Sequence, residues 1–393
     1  MMTFTDIRNL LSTDPRFKEI SDPNKVNDII SKFFPILSSG KLKDSAKRFL
    51  NNQIDLDRYV KIAKNVAGLK LIVGNRKGSL QDVNLIANPR DPYDDTAKNI
   101  IIDDLRNFYY ELDIITSGKH NFSSKIEELL QKTTFVQGKR SSVGATYDNN
   151  GNIVESHINI DTEAIINNRT VAPHEMWHAM DEQNYALNTK HKPDQFIGEI
   201  GSIFIDKLSV DHIKKTHSSD KALVKGINYL NDPDNKIDYM IEKARQSYAE
   251  YLISIILAGS TINDKELAIE ELLNNVGILW SARGFEWQIN ELYDIAKNPD
   301  KHFDPMYELR YVIGEAVSDA VYNMDIPLEE KIDKMVSFNE NIVSVEKLGD
   351  KNQVPLDIVT NFLGVDYIEN LINSQYAKRL SLTNKSATQL ITK

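Results

Sequence analysis

NNRTVAPHEMWHAMDEQNY, residues 167–185, opens on an Asn-Asn turn signal and runs on with apolar residues at helical spacing. Within it His174 and His178 stand four residues apart. On an α-helix their imidazoles therefore rise from one face, a turn apart, and can converge on a single ion. Glu175 is rotated by about 100° from His174. That sets its carboxylate beside such an ion, where it can accept a proton from a metal-bound water. With 8 His in 393 residues, H-E-x-x-H is expected by chance on the order of 0.01 times in a chain this long. Two unconnected histidines on an exposed helix are the plain alternative.

Cysteine is absent, so any metal must sit on His, Asp or Glu, and disulfides and thiolate catalysis are excluded. Two imidazoles and a carboxylate, with one open position, suit Zn2+. The third ligand is sought downstream in FIGEIGSIFIDKL, residues 196–208, where Glu199, Ser202 and Asp206 follow one another at intervals of three and four on one helical stripe. Glu199 is assigned as the third zinc ligand. Asp206 either orients a ligand imidazole through its other nitrogen or belongs to a solvated face. Hydrolysis also needs a donor for the oxyanion formed on the attacked carbonyl. HFDPMYELRYVIGEAVS, residues 302–318, offers His302, Tyr307 and Tyr311, the two tyrosines four apart on one expected helical face. Taken alone, such residues are more often packing groups.

Outward from these segments the chain reads as mainly α. Residues 1–135 show several short helices broken at Pro15, Pro23, Pro89 and Pro92. Alternation around Asn-Asn-Gly in SVGATYDNNGNIVESHINID, residues 142–161, predicts a β-hairpin with its second strand near 157–160. Apolar stripes then predict helices at 170–185, 195–208, 238–257, 264–279, 307–322 and 356–372. The division expected is a helical region, 1–135, followed by a catalytic domain, 136–393, that carries the H-E-x-x-H segment and includes the C-terminal helices.

Composition agrees with a packed protein: 41% hydrophobic, 26% charged, net charge −10. The acidic balance argues against nucleic acid as a partner. The most apolar run, YLISIILAG at 251–259, is too short to span a bilayer, so no membrane partner is expected. The first residues lack a basic segment followed by an apolar core, and a cytoplasmic location is expected, with export without a cleaved signal peptide left open.

Together these segments resemble the thimet oligopeptidase and oligoendopeptidase F family of zinc metallopeptidases, the oligoendopeptidase F branch more closely. HEMWHAM looks like that family's HExGH helix, and FIGEIGSIFIDKL is similar to its F-x-A-E-x-A-S-x-x-x-E segment, whose first Glu binds zinc. ARQSYAEYLISI (244–255) resembles R-Q-x-x-F-A-E-F-E, and residues 302–314 resemble H-F-x-x-P-F-Y-x-Y-x-Y-A-x-G. GKRSSVGATYDNNGNIVESHINI (138–160) looks like the hairpin whose edge strand aligns substrate by β-addition. The resemblance implies a zincin-like fold of the gluzincin type, with a small sheet beside the active-site helix. It also implies a metalloendopeptidase acting on a peptide or protein substrate, in which His302, Tyr307 and Tyr311 bind substrate and stabilise the oxyanion.

The chain departs from the pattern at Trp177 in place of Gly, Leu309 in place of Tyr, Asp206 in place of Glu, and Asp181 after His178. The portion before the zinc helix is also much shorter than in the family. Two other readings stay open: a selective protease, of the bacterial effector kind, that cleaves one protein partner through an open cleft; and a non-catalytic helical binding protein that keeps the zinc site.

Overall fold

The computed structural model describes residues 4–13, 15, 18, 21–53, 55–69, 95–138, 142–149, 152–161, 165–188, 196–259, 282–347 and 355–363. Among these the protein is mainly α, with 14 helices and a three-stranded mixed sheet. The chain divides into two compact units, residues 1–71 with 237–312 and residues 72–236 with 313–393.

The first unit holds α1 (Phe4–Thr13), α2 (Pro23–Ser38), α3 (Gly40–Asn52), α4 (Leu56–Ala67), most of α10 (Pro233–Ala258), α11 (Ala282–Lys297) and the start of α12 (Leu309–Tyr322). Local chemistry sets these ends. Asp22 accepts from the backbone N–H of Asn24 at 2.7 Å, and Pro23 takes the first helical position, where its missing N–H is no loss. α2 buries Val26, Ile29 and Ile36 and packs against α11, which buries Ile289 and Leu292.

The second unit holds α5 (Asp95–Ile115), α6 (Phe122–Lys132), β1 (Thr133–Gly138), β2 (Ser142–Tyr147), β3 (Ile153–Asp161), α7 (Ile165–Asn188), α8 (Ile200–Thr216), α9 (Lys221–Leu230), the rest of α12, α13 (Leu328–Lys347) and α14 (Pro355–Leu363). The expected hairpin is present: β2 and β3 pair antiparallel, with Val143 opposite Ile158 and Gly144 opposite His157. Asp148 and Asn152 close it, Asp148 N donating to the Asn152 carbonyl and Asn152 N to Asp148 Oδ1, each at 2.9 Å. The helical reading of residues 1–135 missed β1, which runs parallel to β3 and makes the strand order β1-β3-β2. β3 turns Ser156 and Ile158 inward and His157 outward, the period-2 alternation of a half-buried strand. The sheet packs on α7.

α8 is buried around almost its whole circumference, with Ile200, Phe204 and Ile205 fully so, as expected of a helix enclosed by others. It starts at Ile200, five residues later than the apolar stripe suggested. Lys207, on this helix, is buried against Glu315 (2.5 Å) and Asp319 (2.8 Å) of α12. α12 likewise begins late, at Leu309. Pro305 precedes Met306, whose φ of 62° is left-handed and cannot belong to a right-handed helix. Tyr307 therefore lies in a turn ahead of the helix. The stretches 264–279 and 364–372, read as helical, lie outside the described residues.

Candidate metal centre

α7 carries His174, Glu175 and His178, and it has a proline in its interior just before them. Pro173 removes one helical N–H, and the buried Tyr109 hydroxyl donates to the Pro173 carbonyl at 2.8 Å, pinning the backbone next to His174. α8 packs directly on α7. Glu199 is the residue before its first turn; its carbonyl accepts the first helical bond from Ile203 N at 3.0 Å, and Phe196 and Ile197 anchor the approach from the buried side.

These elements bring three donors together. His174 Nε2 and His178 Nε2 are 3.1 Å apart. Glu199 Oε2 lies 3.2 Å from His178 Nε2 and 3.3 Å from His174 Nε2. A tetrahedral ion with ligand bonds of about 2.0–2.1 Å holds its ligands about 3.3–3.4 Å apart. The near-equilateral triangle therefore fits a small divalent cation, and His174, His178 and Glu199 are the group that could hold one.

The surroundings fix the donors. Asp206, in the second turn of α8, accepts from His174 Nδ1 at 3.0 Å, which turns Nε2 towards the triangle. The expected orienting role of Asp206 thus has its geometry, while its face is only half-buried. Ser202 Oγ donates to Glu199 Oε2 at 3.2 Å and lies 3.1 Å from the Glu199 carbonyl. Gly314 of α12 lets that helix lie against Glu199: an added Cβ there would stand 3.1 Å from Glu199 Cβ and 3.2 Å from its carbonyl. Ser318 donates to the Ile200 carbonyl at 2.6 Å. The Ser at position 202 was legible as part of the stripe; the glycine contacts carry no sequence signal of their own.

The charges suit a cation. Burial works against the charged form of His174, yet the carboxylates of Asp206 and Glu199 outweigh it and hold the ring well above its usual value. Burial likewise works against an ionised Glu199, and the two histidines more than compensate, so its carboxyl stays well below the usual range. Glu175 is 7% exposed, and burial raises it. Asp181, a turn beyond His178, is pushed by burial up to about 7, with the Asn339 amide donating to its carboxylate at 3.0 and 3.1 Å.

His302, Tyr307 and Tyr311 belong to the first unit. His302 and Tyr307 are exposed, and Tyr311 is half-buried on α12. The tyrosines do not share a helical face, since only Tyr311 is helical. A residue that the sequence reading passed over joins them instead. The Arg310 guanidinium lies 3.6 Å from the centre of the Tyr307 ring and 4.8 Å from that of Tyr311, and it donates to the Tyr311 hydroxyl at 2.8 Å. In the same unit the buried Glu250 accepts from the backbone N–H of Met306 at 2.8 Å and from the amides of Gln246 and Gln288.

No helix among the described residues is long and apolar enough to cross a membrane. In comparisons with known proteins, no family model, no curated protein and no solved structure matches the chain.

Proposed function

We propose that this protein is a zinc metalloendopeptidase of the gluzincin type, in which His174, His178 and Glu199 hold the metal and Glu175 is the general base. The observation that carries the reading is the donor triangle, with edges of 3.1, 3.2 and 3.3 Å, beside a buried glutamate one residue from the first histidine. A structural zinc site is closed by four protein ligands, whereas a catalytic one has three and an open position. Among the described residues the group has three.

When bound, zinc supplies Lewis acidity to the attacking water and the substrate carbonyl. Glu175 takes the proton of the attacking water and returns it to the leaving amine. The raised proton affinity that burial gives its carboxyl suits a group that must both accept and release a proton. Asp206 holds His174 in the tautomer that presents Nε2, and Ser202 steadies the Glu199 carboxylate.

From the resemblance to the oligoendopeptidase F branch come two further roles: His302, Tyr307 and Tyr311 bind substrate and stabilise the oxyanion, and the edge strand of the hairpin aligns the substrate backbone by strand addition. The substrate class is oligopeptides.

The test is Glu175→Gln beside the wild type on a quenched fluorescent peptide library, with bound zinc measured by atomic emission. The variant should keep about one zinc per chain and lose hydrolysis by at least about a hundredfold. Unchanged turnover, or a wild type that cleaves nothing when loaded with zinc, overturns the reading.

A further inference from the structure

α7 and α8 meet at Trp177 and Gly201 with no room to spare. A Cβ added at Gly201 would stand 2.3 Å from Trp177 Nε1, closer than packed atoms tolerate, and 3.1 Å from both Trp177 Cε2 and Asn339 Nδ2. Trp177 is 4% exposed and lies between the two histidine donors in the sequence. Gly201 comes two residues after Glu199. The indole edge therefore rests on bare backbone of α8, immediately beside the third donor, and it limits how close that helix can come. On another side Gly314 allows α12 to press on Glu199 itself, and the Ser318 hydroxyl holds the Ile200 carbonyl. The backbone at Glu199 is thus packed both through the indole and through α12.

We propose that Trp177 is a positioning residue that sets the spacing between the helix bearing the two histidines and the residue bearing the carboxylate, so that the Trp177–Gly201 contact governs metal affinity. The proposal rests on reading His174, His178 and Glu199 as a metal site. Ligand distances in a zinc site hold to within about 0.2 Å, and close-packed interiors pass on strain instead of absorbing it. A methyl group at position 201 must push α8 or the indole away, and Glu199 moves with the helix. The indole also touches Phe122 of α6, ring centres 6.1 Å apart, which restricts its retreat.

The experiment measures zinc affinity by competition with a chromogenic chelator for the wild type, Gly201→Ala, Trp177→Leu and the double variant, with circular dichroism to verify folding. Gly201→Ala should bind zinc at least about tenfold more weakly, in the range seen when the surroundings of a ligand are altered. Leucine ends at its δ carbons and has nothing at the place of Nε1. The added methyl then meets only the Asn339 side-chain amide, at 3.1 Å, which has to yield by a few tenths of an ångström; the double variant should bind within about threefold of Trp177→Leu alone.

If Gly201→Ala fails to fold, the comparison of the double variant with Trp177→Leu still decides. A folded Gly201→Ala with wild-type affinity overturns the proposal, as does a double variant that is much weaker than Trp177→Leu or does not fold when Trp177→Leu does. Either result leaves the metal site standing if the wild type binds zinc. A wild type with no zinc affinity removes the site and the proposal together.

Discussion

His174 Nδ1 lies 3.0 Å from Asp206 Oδ2, so the ring nitrogen turned away from the donor triangle is tied to a carboxylate on the next helix. Such a partner fixes the tautomer and makes the other nitrogen a better ligand. Replacing Asp206 by Asn or Ala is expected to weaken zinc binding by about 10–100-fold, read by chelator competition. Zinc affinity equal to that of the wild type in both variants would show that the carboxylate belongs to the solvated face instead.

Because the donors come from α7 and from the start of α8, the ion should bind the folded chain and not the unfolded one. Zinc at 100 times its dissociation constant then stabilises by about 2.7 kcal/mol. Thermal melts should rise with added zinc and fall with a chelator, and His178→Ala should abolish both responses. A melting temperature indifferent to zinc in the wild type would count against the site.

Much of this centre was legible in the residues because it is built on short-range periodicity. Spacing of four puts His174 and His178 on one face, and spacing of three and four puts Ser202 and Asp206 where they meet Glu199 and His174. The hairpin showed itself through alternation and an Asn-Gly turn. β1 did not, since TTFVQG is six residues long and its pairing with β3 is parallel and non-local. The start of α12 was misplaced because the left-handed Met306 leaves no mark on an apolar stripe. Close approaches at Gly201 and Gly314 depend on which helices meet, and that is a property of the packed fold. Arg310, too, carries no signal in the sequence, and its part shows only once the rings of Tyr307 and Tyr311 are placed beside it.

Lys207 is enclosed between Glu315 and Asp319, with Lys236 adding a second contact to Glu315 at 3.3 Å. Burial opposes the lysine's charge, and the two carboxylates outweigh it and raise its affinity for the proton. Lys207→Met leaves Glu315 buried with its main partner gone and should destabilise by about 3–5 kcal/mol. Lys207→Met combined with Glu315→Leu should recover part of that loss, since the apolar pair needs no compensation while Asp319 and Lys236, each partly exposed, turn to solvent. Urea denaturation of the four proteins measures the cycle; a single variant as stable as the wild type would contradict the pairing.

Glu250 is buried and held by three N–H donors, yet the cost of enclosing a charge prevails and burial lifts its carboxyl from the ordinary 4.5 to about 8. Between those values the folded chain keeps a proton that the unfolded chain has released. Stability must then fall as pH rises, because the state binding more protons is the folded one. The contribution is fully present below about 4.5 and lost by about 8, with a slope of up to about 1.4 kcal/mol per pH unit for one group. Glu250→Gln cannot ionise and lacks this dependence. Denaturation of both proteins at pH 5, 6, 7 and 8 should therefore show the wild type losing stability relative to the variant at each step. Parallel profiles would mean that the donors from Met306, Gln246 and Gln288 keep the carboxylate charged despite its burial.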